Sequence, residues 1–298
     1  MKRQLVTWFY TEWYKLIEDI LIFGLVQGSL LALLALGFSL VYGVGGILNL
    51  AHGAFFLMTA YIVYWTIPFF GFWVAAVVGL AGILAISAAT YWGLMKPLRE
   101  HEIGVVIITF ALAFFFEQSV KVIGDPKTHY IAPFVQGTFS FYGVRFPAQL
   151  MALVIGTIVL VTAVALFINK SKMGKSIRAV SQDFEAAQLM GINTDMVLMT
   201  SVMISALLVG FAAVLYAPGN YIAPNIGWGY LLLAFAVTIF GGMGSIPGSV
   251  VGAFIMGYAT SITDYLISPS FSEIIPLVVI LVMLLVRPQG LLGKKELK

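Results

Sequence analysis

Runs of roughly 20 apolar residues follow one another along almost the whole chain, separated by short polar joints. They fall at about 20–43, 47–67, 70–95, 103–124, 149–169, 196–217, 229–243, 248–266 and 273–287. Residues 229–243 are short for a crossing, and 43–53 reads as a bend or broken helix rather than a clean loop. The pattern predicts an all-α integral membrane protein. Its architecture is a polytopic bundle of about eight to nine transmembrane segments with broken or re-entrant helices. Residues 1–19 form an N-terminal interfacial segment, 20–287 one transmembrane domain, and 288–298 a cytoplasmic tail.

Charge sets the sidedness. Half of the 16 basic residues sit in two places: Lys170, Lys172, Lys175 and Arg178, then Arg287, Lys294, Lys295 and Lys298. Cytoplasmic segments collect Lys and Arg in this way. Residues 170–195, 96–102 and the tail are therefore expected inside, and 125–148 and 218–228 outside. The outer gap carries Asp125, Pro126, Lys127, Pro133, Gly137, Gly143, Arg145 and Pro147. Nine crossings place the N-terminus outside. Lys2, Arg3 and Lys15 favour inside, which eight crossings and one re-entrant segment would allow. Trp8, Phe9, Tyr10, Trp13 and Tyr14, set among charges, read as an interfacial lead-in and not a cleavable signal.

Composition narrows the chemistry. With 61% hydrophobic and 10% charged residues and a mean hydropathy of +1.01, no sizeable soluble domain fits. Without Cys there is no disulfide or thiolate site, and the three His (52, 101 and 129) are too scattered for a metal motif. No metal or cofactor is expected, and the net charge of +3 is no nucleic-acid signal.

An ungapped offset of 199 residues aligns Gly28 with Gly227, Gly43 with Gly242, Gly45 with Gly244 and Gly53 with Gly252. Leu33-Leu34-Ala35 falls on Leu232-Leu233-Ala234, and Phe55 on Phe254. The chain thus has two repeat-like halves, by common ancestry or by shared membrane composition. Gly43, Gly45, Gly53, Gly242, Gly244 and Gly252 are the expected helix-break positions.

The polar stretch 181–195 predicts a short helix. Ser181 or Asp183 caps its start, Glu185 lies in the first turn, and Gly191 ends it in the left-handed conformation. Phe184, Ala187 and Met190 fall on one apolar face, and the small Ala186 and Ala187 admit a partner's backbone. The plain alternative is an interfacial helix between spans.

Several blocks carry a family resemblance. They are Ala35-Leu36-Gly37-Phe38-Ser39-Leu40-Val41-Tyr42-Gly43, Ile47-Leu48-Asn49-Leu50-Ala51-His52-Gly53, and Met173-Gly174-Lys175-Ser176-Ile177-Arg178. With them go Glu185-Ala186-Ala187, Gly191-Ile192-Asn193-Thr194-Asp195, Gly241-Gly242-Met243-Gly244-Ser245-Ile246-Pro247-Gly248, and Arg287-Pro288-Gln289-Gly290-Leu291-Leu292-Gly293. From about Gly24 to Gly293 the chain resembles the LivH-type permeases of branched-chain amino acid ABC importers. The resemblance implies a LivM-like second permease, two cytoplasmic ATPase subunits, a periplasmic or extracellular substrate-binding protein, and a bacterial or archaeal plasma membrane. It makes Asp183, Phe184, Glu185, Ala186, Ala187, Met190 and Gly191 the ATPase-coupling residues. Relatives of the family also serve urea and short amides.

Other readings weigh less. Gly174-Lys175-Ser176 lacks the preceding glycine of a phosphate loop, because position 169 is Asn, so energy must come from another chain or an ion gradient. Residues 241–248 read as a tight turn ahead of a pore-lining break. Ser39, Tyr42, Asn49, His52 and Thr238 are candidates to line a substrate path, although such groups more often bind backbone locally. Glu117 reads as paired with Lys121. An ion-coupled secondary transporter would need midplane ionisable groups beyond Glu117, Lys121 and Asp264, and no cluster suits an intramembrane enzyme. No catalytic residues are expected.

Overall fold

The computed structural model describes residues 2–124, 126–141, 144–272, 274–287 and 289–293, with side chains for all of these except 2–15 and 141. Asp125, Gly143, Pro288, Lys294, Lys295 and Lys298, and the side chains of Trp8 to Tyr14, lie outside the described residues.

Helix α1 (Lys2–Gly45) forms the centre of the bundle. The sequence from Leu30 to Val41 is apolar or small on every face, and a helix apolar all round belongs inside. Of its most apolar window 67% is buried within the chain, against 6% for the last span, so α1 is core and the last span is skin.

Helix α2 (His52–Thr90) holds two of the expected spans. Pro68 and Gly71 break it, Gly71 standing at φ 74° and ψ 172°, which favours glycine. A Cβ on Gly79 would lie 2.7 Å from Val63, so the second half folds back on the first. A π-helical turn (Tyr91–Met95) and the short α3 (Lys96–Leu98) lead to α4 (Glu102–Gly124). Two small sheets follow. β1 (His129–Tyr130) pairs antiparallel with β4 (Tyr221–Ile222), and β2 (Thr138–Phe141) with β3 (Val144–Pro147). Then come α5 (Ala148–Lys170), α6 (Lys172–Val180), α7 (Phe184–Leu189) and α8 (Thr194–Tyr216). The chain closes with α9 (Ile226–Gly241), α10 (Ile246–Leu266), α11 (Pro269–Ser272) and α12 (Ile274–Val286).

Among the described residues 7 helices are long and apolar enough to cross a membrane. The fold at Gly71 splits one of them in two, and α9 adds a shorter apolar helix. Each apolar run in the sequence thus has its own helix. At 16 residues α9 spans about 24 Å, short of the ~30 Å hydrocarbon layer.

The joints separate by charge. Lys96, Arg99, Lys170, Lys172, Lys175, Arg178 and Arg287 share one end, taken as the inner end. The two small sheets mark the other. Phe23 and Gln27 of α1 meet Leu150, Tyr216, Asn220 and Asp264 there, so α1 enters from the outer end. The start of the first apolar run thus lies at the end opposite the basic joints.

The run 43–53 is a re-entrant break. Helix α1 continues to Gly45, Gly46 takes φ 64°, and the chain climbs back into the bundle. His52 Nε2 meets the Leu34 carbonyl at 2.9 Å. Leu34 lies three turns above the end of α1, roughly 16 Å along its axis.

Two glycines related by the offset make similar close approaches. Gly28 of α1 lies against Phe254 and Gly257 of α10, and Gly227 of α9 lies against Gly53 and Ala54 of α2. Under the 199-residue offset these are nearly the same contact made twice. Glycine at each crossing lets backbones touch, the usual means of holding helices together in lipid.

Candidate functional site

The inner end is built by helix caps. Ser171 accepts from Gly174 N at 2.8 Å, Asp183 from Ala186 N at 2.8 Å, and Asn193 from Met196 N at 3.0 Å. These side chains satisfy otherwise unpaired amides at the starts of α6, α7 and α8. Gly174 is pressed against the carbonyls of Phe167 and Ile168, where a Cβ has no room, and Arg178 donates to the Ile168 carbonyl at the end of α5. The Gly174-Lys175-Ser176 run thus serves packing.

Gly191 closes α7. It stands at φ 81°, with Gly191 N donating to Gln188 O at 3.0 Å and Ile192 N to Ala187 O at 3.1 Å. This pair of bonds is a Schellman ending. The apolar face differs from the expected one. Phe184 and Ala187 turn inward onto the chain's own core with Ile177, Val180 and Leu198. Only Met190 of the expected trio faces out, 83% exposed, beside Leu189 at 89%. The helical spacing was right, but it could not say which side of a six-residue helix meets its own bundle. Leu189, which was not among the expected face residues, adds as much free apolar surface as Met190. Asp183, Glu185 and Ala186 are exposed.

The start of α8 is tied to the other joint at the basic end. Asp195 pairs with Lys96 at 2.9 Å and with Arg99. Lys96 also lies over the Trp92 ring, 4.2 Å from its centroid, within the π-helical turn. Such turns recur at functional positions.

Of the path candidates, Ser39, Asn49, His52 and Thr238 are buried and Tyr42 is half-buried. Neither described cavity is lined by any of them. His52 bridges α1 and α8, with Nδ1 3.2 Å from Ser205 Oγ and Nε2 on Leu34. Thr238 donates to Ala35 O at 3.3 Å, and Asn49 Oδ1 accepts from Ala51 N at 3.0 Å. Ser39 Oγ and Asn49 Nδ2 have no hydrogen-bond partner among the described residues.

The glycines divide. Gly242 (φ 106°) and Gly244 (φ 78°) do break the chain between α9 and α10. Gly43, Gly45, Gly53 and Gly252 do not: they sit within helices or at their ends, and serve close approach. Gly43, for example, faces Gly244, whose Cα a Cβ would meet at 2.8 Å. The first-half break falls on Gly46, which the offset alignment passed over. Residues 241–248 form the tight inner turn, with Ser245 accepting from Gly248 N at 3.2 Å. The tail seals it: Leu291 N donates to Phe240 O at 2.9 Å and Leu292 N to Gly241 O at 3.0 Å. Two carbonyls at the end of α9 are thereby capped.

Glu117 is buried and satisfied. It pairs with Lys121 at 2.5 Å and accepts from Trp228 Nε1 at the start of α9. The adjoining cavity, about 10 Å3, has room for one water at most.

The fold is thus a polytopic helical bundle with a capped short helix at its basic end. Residues 20–284 match the family model for the branched-chain amino acid transport system permease component. The chain belongs to that family, and is a multi-pass plasma-membrane permease of the ABC transporter class. It is 28% identical to the high-affinity branched-chain amino acid permease protein LivH of Escherichia coli (strain K12), covering 92% of this chain and 95% of the relative. Identity to BraD of Pseudomonas aeruginosa is 29%, covering 93% and 96%. Identity to LivM of Escherichia coli falls to 23%, covering 87% and 67%. Among solved structures, PsaBC from Streptococcus pneumoniae in complex with Fab aligns with a TM-score of 0.54 at 13% identity, over 93% of this chain and 96% of that one. This last likeness concerns the fold.

Proposed function

We propose that this chain is one permease half of an ABC importer for branched-chain or other neutral amino acids, driven by ATPase subunits bound at α6–α7. The carrying observation is the exposed Leu189–Met190 pair on a helix fixed at both ends by Asp183 and Gly191. A six-residue helix gains little by itself, so apolar groups held rigid in water at the basic end suit a partner groove. The relatives named LivH, BraD and LivM support amino acids as the solute and a LivM-like chain as the second permease. A substrate-binding protein would deliver solute at the outer end.

The path is assigned to the seam between the two halves, past Ser39, Tyr42, Asn49, His52 and Thr238. Ser39 Oγ and Asn49 Nδ2 support this reading, since each buried unpaired group costs about 1–3 kcal/mol that a hydrated path would relieve. Glu117 gives no support to an ion-coupled transporter, since its charge is already met by Lys121 and Trp228.

The test is co-expression with candidate ATPase and LivM-like chains, followed by uptake of labelled leucine, urea and acetamide in vesicles. ATP-dependent leucine uptake is expected, with no hydrolysis by the isolated chain. Hydrolysis by that chain alone would sink the assignment. Uptake of urea or acetamide instead of leucine would move the substrate while keeping the mechanism.

A further inference from the structure

A cleft of about 460 Å3 opens at the outer end between α1, α5, α8 and α10, far from the coupling helices. Its walls are apolar and aromatic: Phe23, Val26, Leu150, Tyr216 and Tyr265. Three polar side chains reach it, Gln27, Asn220 and Asp264, and no Lys or Arg among the described residues lines it. Asn220 spends its Nδ2 donor on Tyr216 O at 2.6 Å, which leaves its carbonyl oxygen free to accept. Gln27 and the half-buried Asp264 make no hydrogen bond or salt bridge among the described residues.

An unpaired carboxylate near the bilayer calls for a positive partner. Here it stands with two amide oxygens and three aromatic rings. A primary ammonium has three donors for such acceptors, and its charge is favoured over ring faces. The volume takes a small apolar body attached to that group.

We propose that this outer cleft binds the primary ammonium of a small solute or of a lipid headgroup, with Asp264 as counter-charge and Gln27 and Asn220 as acceptors. As an arrival site for an imported amino acid it rests on the function proposed above; as an ammonium site it does not.

The native chain lacks Cys, so Leu150→Cys gives one thiol in the cleft wall. The assembled transporter is placed in phosphatidylglycerol nanodiscs and treated with cationic or anionic methanethiosulfonates of similar size. The cationic reagent should react faster by roughly tenfold, a modest value for one nearby charge. Adding Asp264→Asn should bring the ratio close to one. Leucine and isoamylamine should protect the thiol, and 4-methylpentanoate, which lacks the amine, should not. Protection without added solute in phosphatidylethanolamine nanodiscs would assign the site to lipid headgroups and keep the ammonium chemistry. An inert Leu150→Cys, equal rates for both reagents, or equal protection by amine and acid overturns the proposal. ATPase capture is a separate readout, so loss of the importer reading leaves this result interpretable.

Discussion

Arg99 and Asp195 stand 96 residues apart and meet as an ion pair at the inner end, joining the α2–α4 joint to the first turn of α8. Asp195 follows α7 by six residues, and Lys96 shares its carboxylate at 2.9 Å. Motion of α7 and α8 would therefore pull on the π-helical turn at Tyr91–Met95. All three side chains are partly exposed, so the pair adds only about 0.2–1 kcal/mol to stability. Asp195→Arg should leave insertion intact and uncouple ATP hydrolysis from uptake. Combining it with Arg99→Asp should restore part of the coupling. If the swap rescues nothing, the pair does not transmit.

Gly191 offers a graded test. Nothing lies within 4 Å of a Cβ built there, so only backbone strain counts. At φ 81° a β-branched residue costs about 1–2 kcal/mol, and Asn less. Gly191→Val should reduce co-purification of the ATPase more than Gly191→Asn, with normal membrane levels of both. Equal capture by all three proteins argues against a docking role.

Leu189 and Ala187 should fail differently. Leu189→Asp places a charge on the exposed face, and should abolish ATPase capture while the thermal midpoint stays within a degree or two. Ala187→Leu overfills a buried position, and should lower the chain's own stability by about 1–3 kcal/mol. Thermal unfolding of the two variants in detergent, beside a pull-down, separates the cases. A stable Ala187→Leu chain that loses only capture would put Ala187 back on the partner's side.

Glu117 should matter to the chain rather than to the solute. Glu117→Ala strands the indole N–H of Trp228 and the ammonium of Lys121, at about 1–3 kcal/mol. Thermal stability should fall, and the preference among leucine, urea and acetamide should not change. Altered solute preference in a stable variant would make Glu117 part of the path.

The assigned path is closed in this conformation. Cys at Ser39, Asn49, His52 or Thr238 should be inert to water-soluble thiol reagents in the resting transporter, like the lipid-facing control Val159→Cys. Labelling should appear when ATP binds or solute is delivered. Four positions inert in every state would leave His52 and Thr238 as fixed helix joints and nothing more.

Much of this protein is legible from composition and spacing alone. Lipid admits only backbones that satisfy their own hydrogen bonds, so each apolar run had to be a helix, and most Lys and Arg of the joints gather at one end. Cap chemistry is equally local, which is why Asp183 and Gly191 stand where the sequence places them. Facing is not local. A six-residue helix carries too little periodicity to say that Phe184 and Ala187 turn inward while Leu189 and Met190 turn out. The same holds for the glycines. Sequence marks the positions where a side chain is absent. Only the packed bundle decides that Gly242 and Gly244 bend the chain while Gly43 and Gly53 bring two backbones together, because Gly43 meets Gly244 and Gly53 meets Gly227, partners some 170 to 200 residues away.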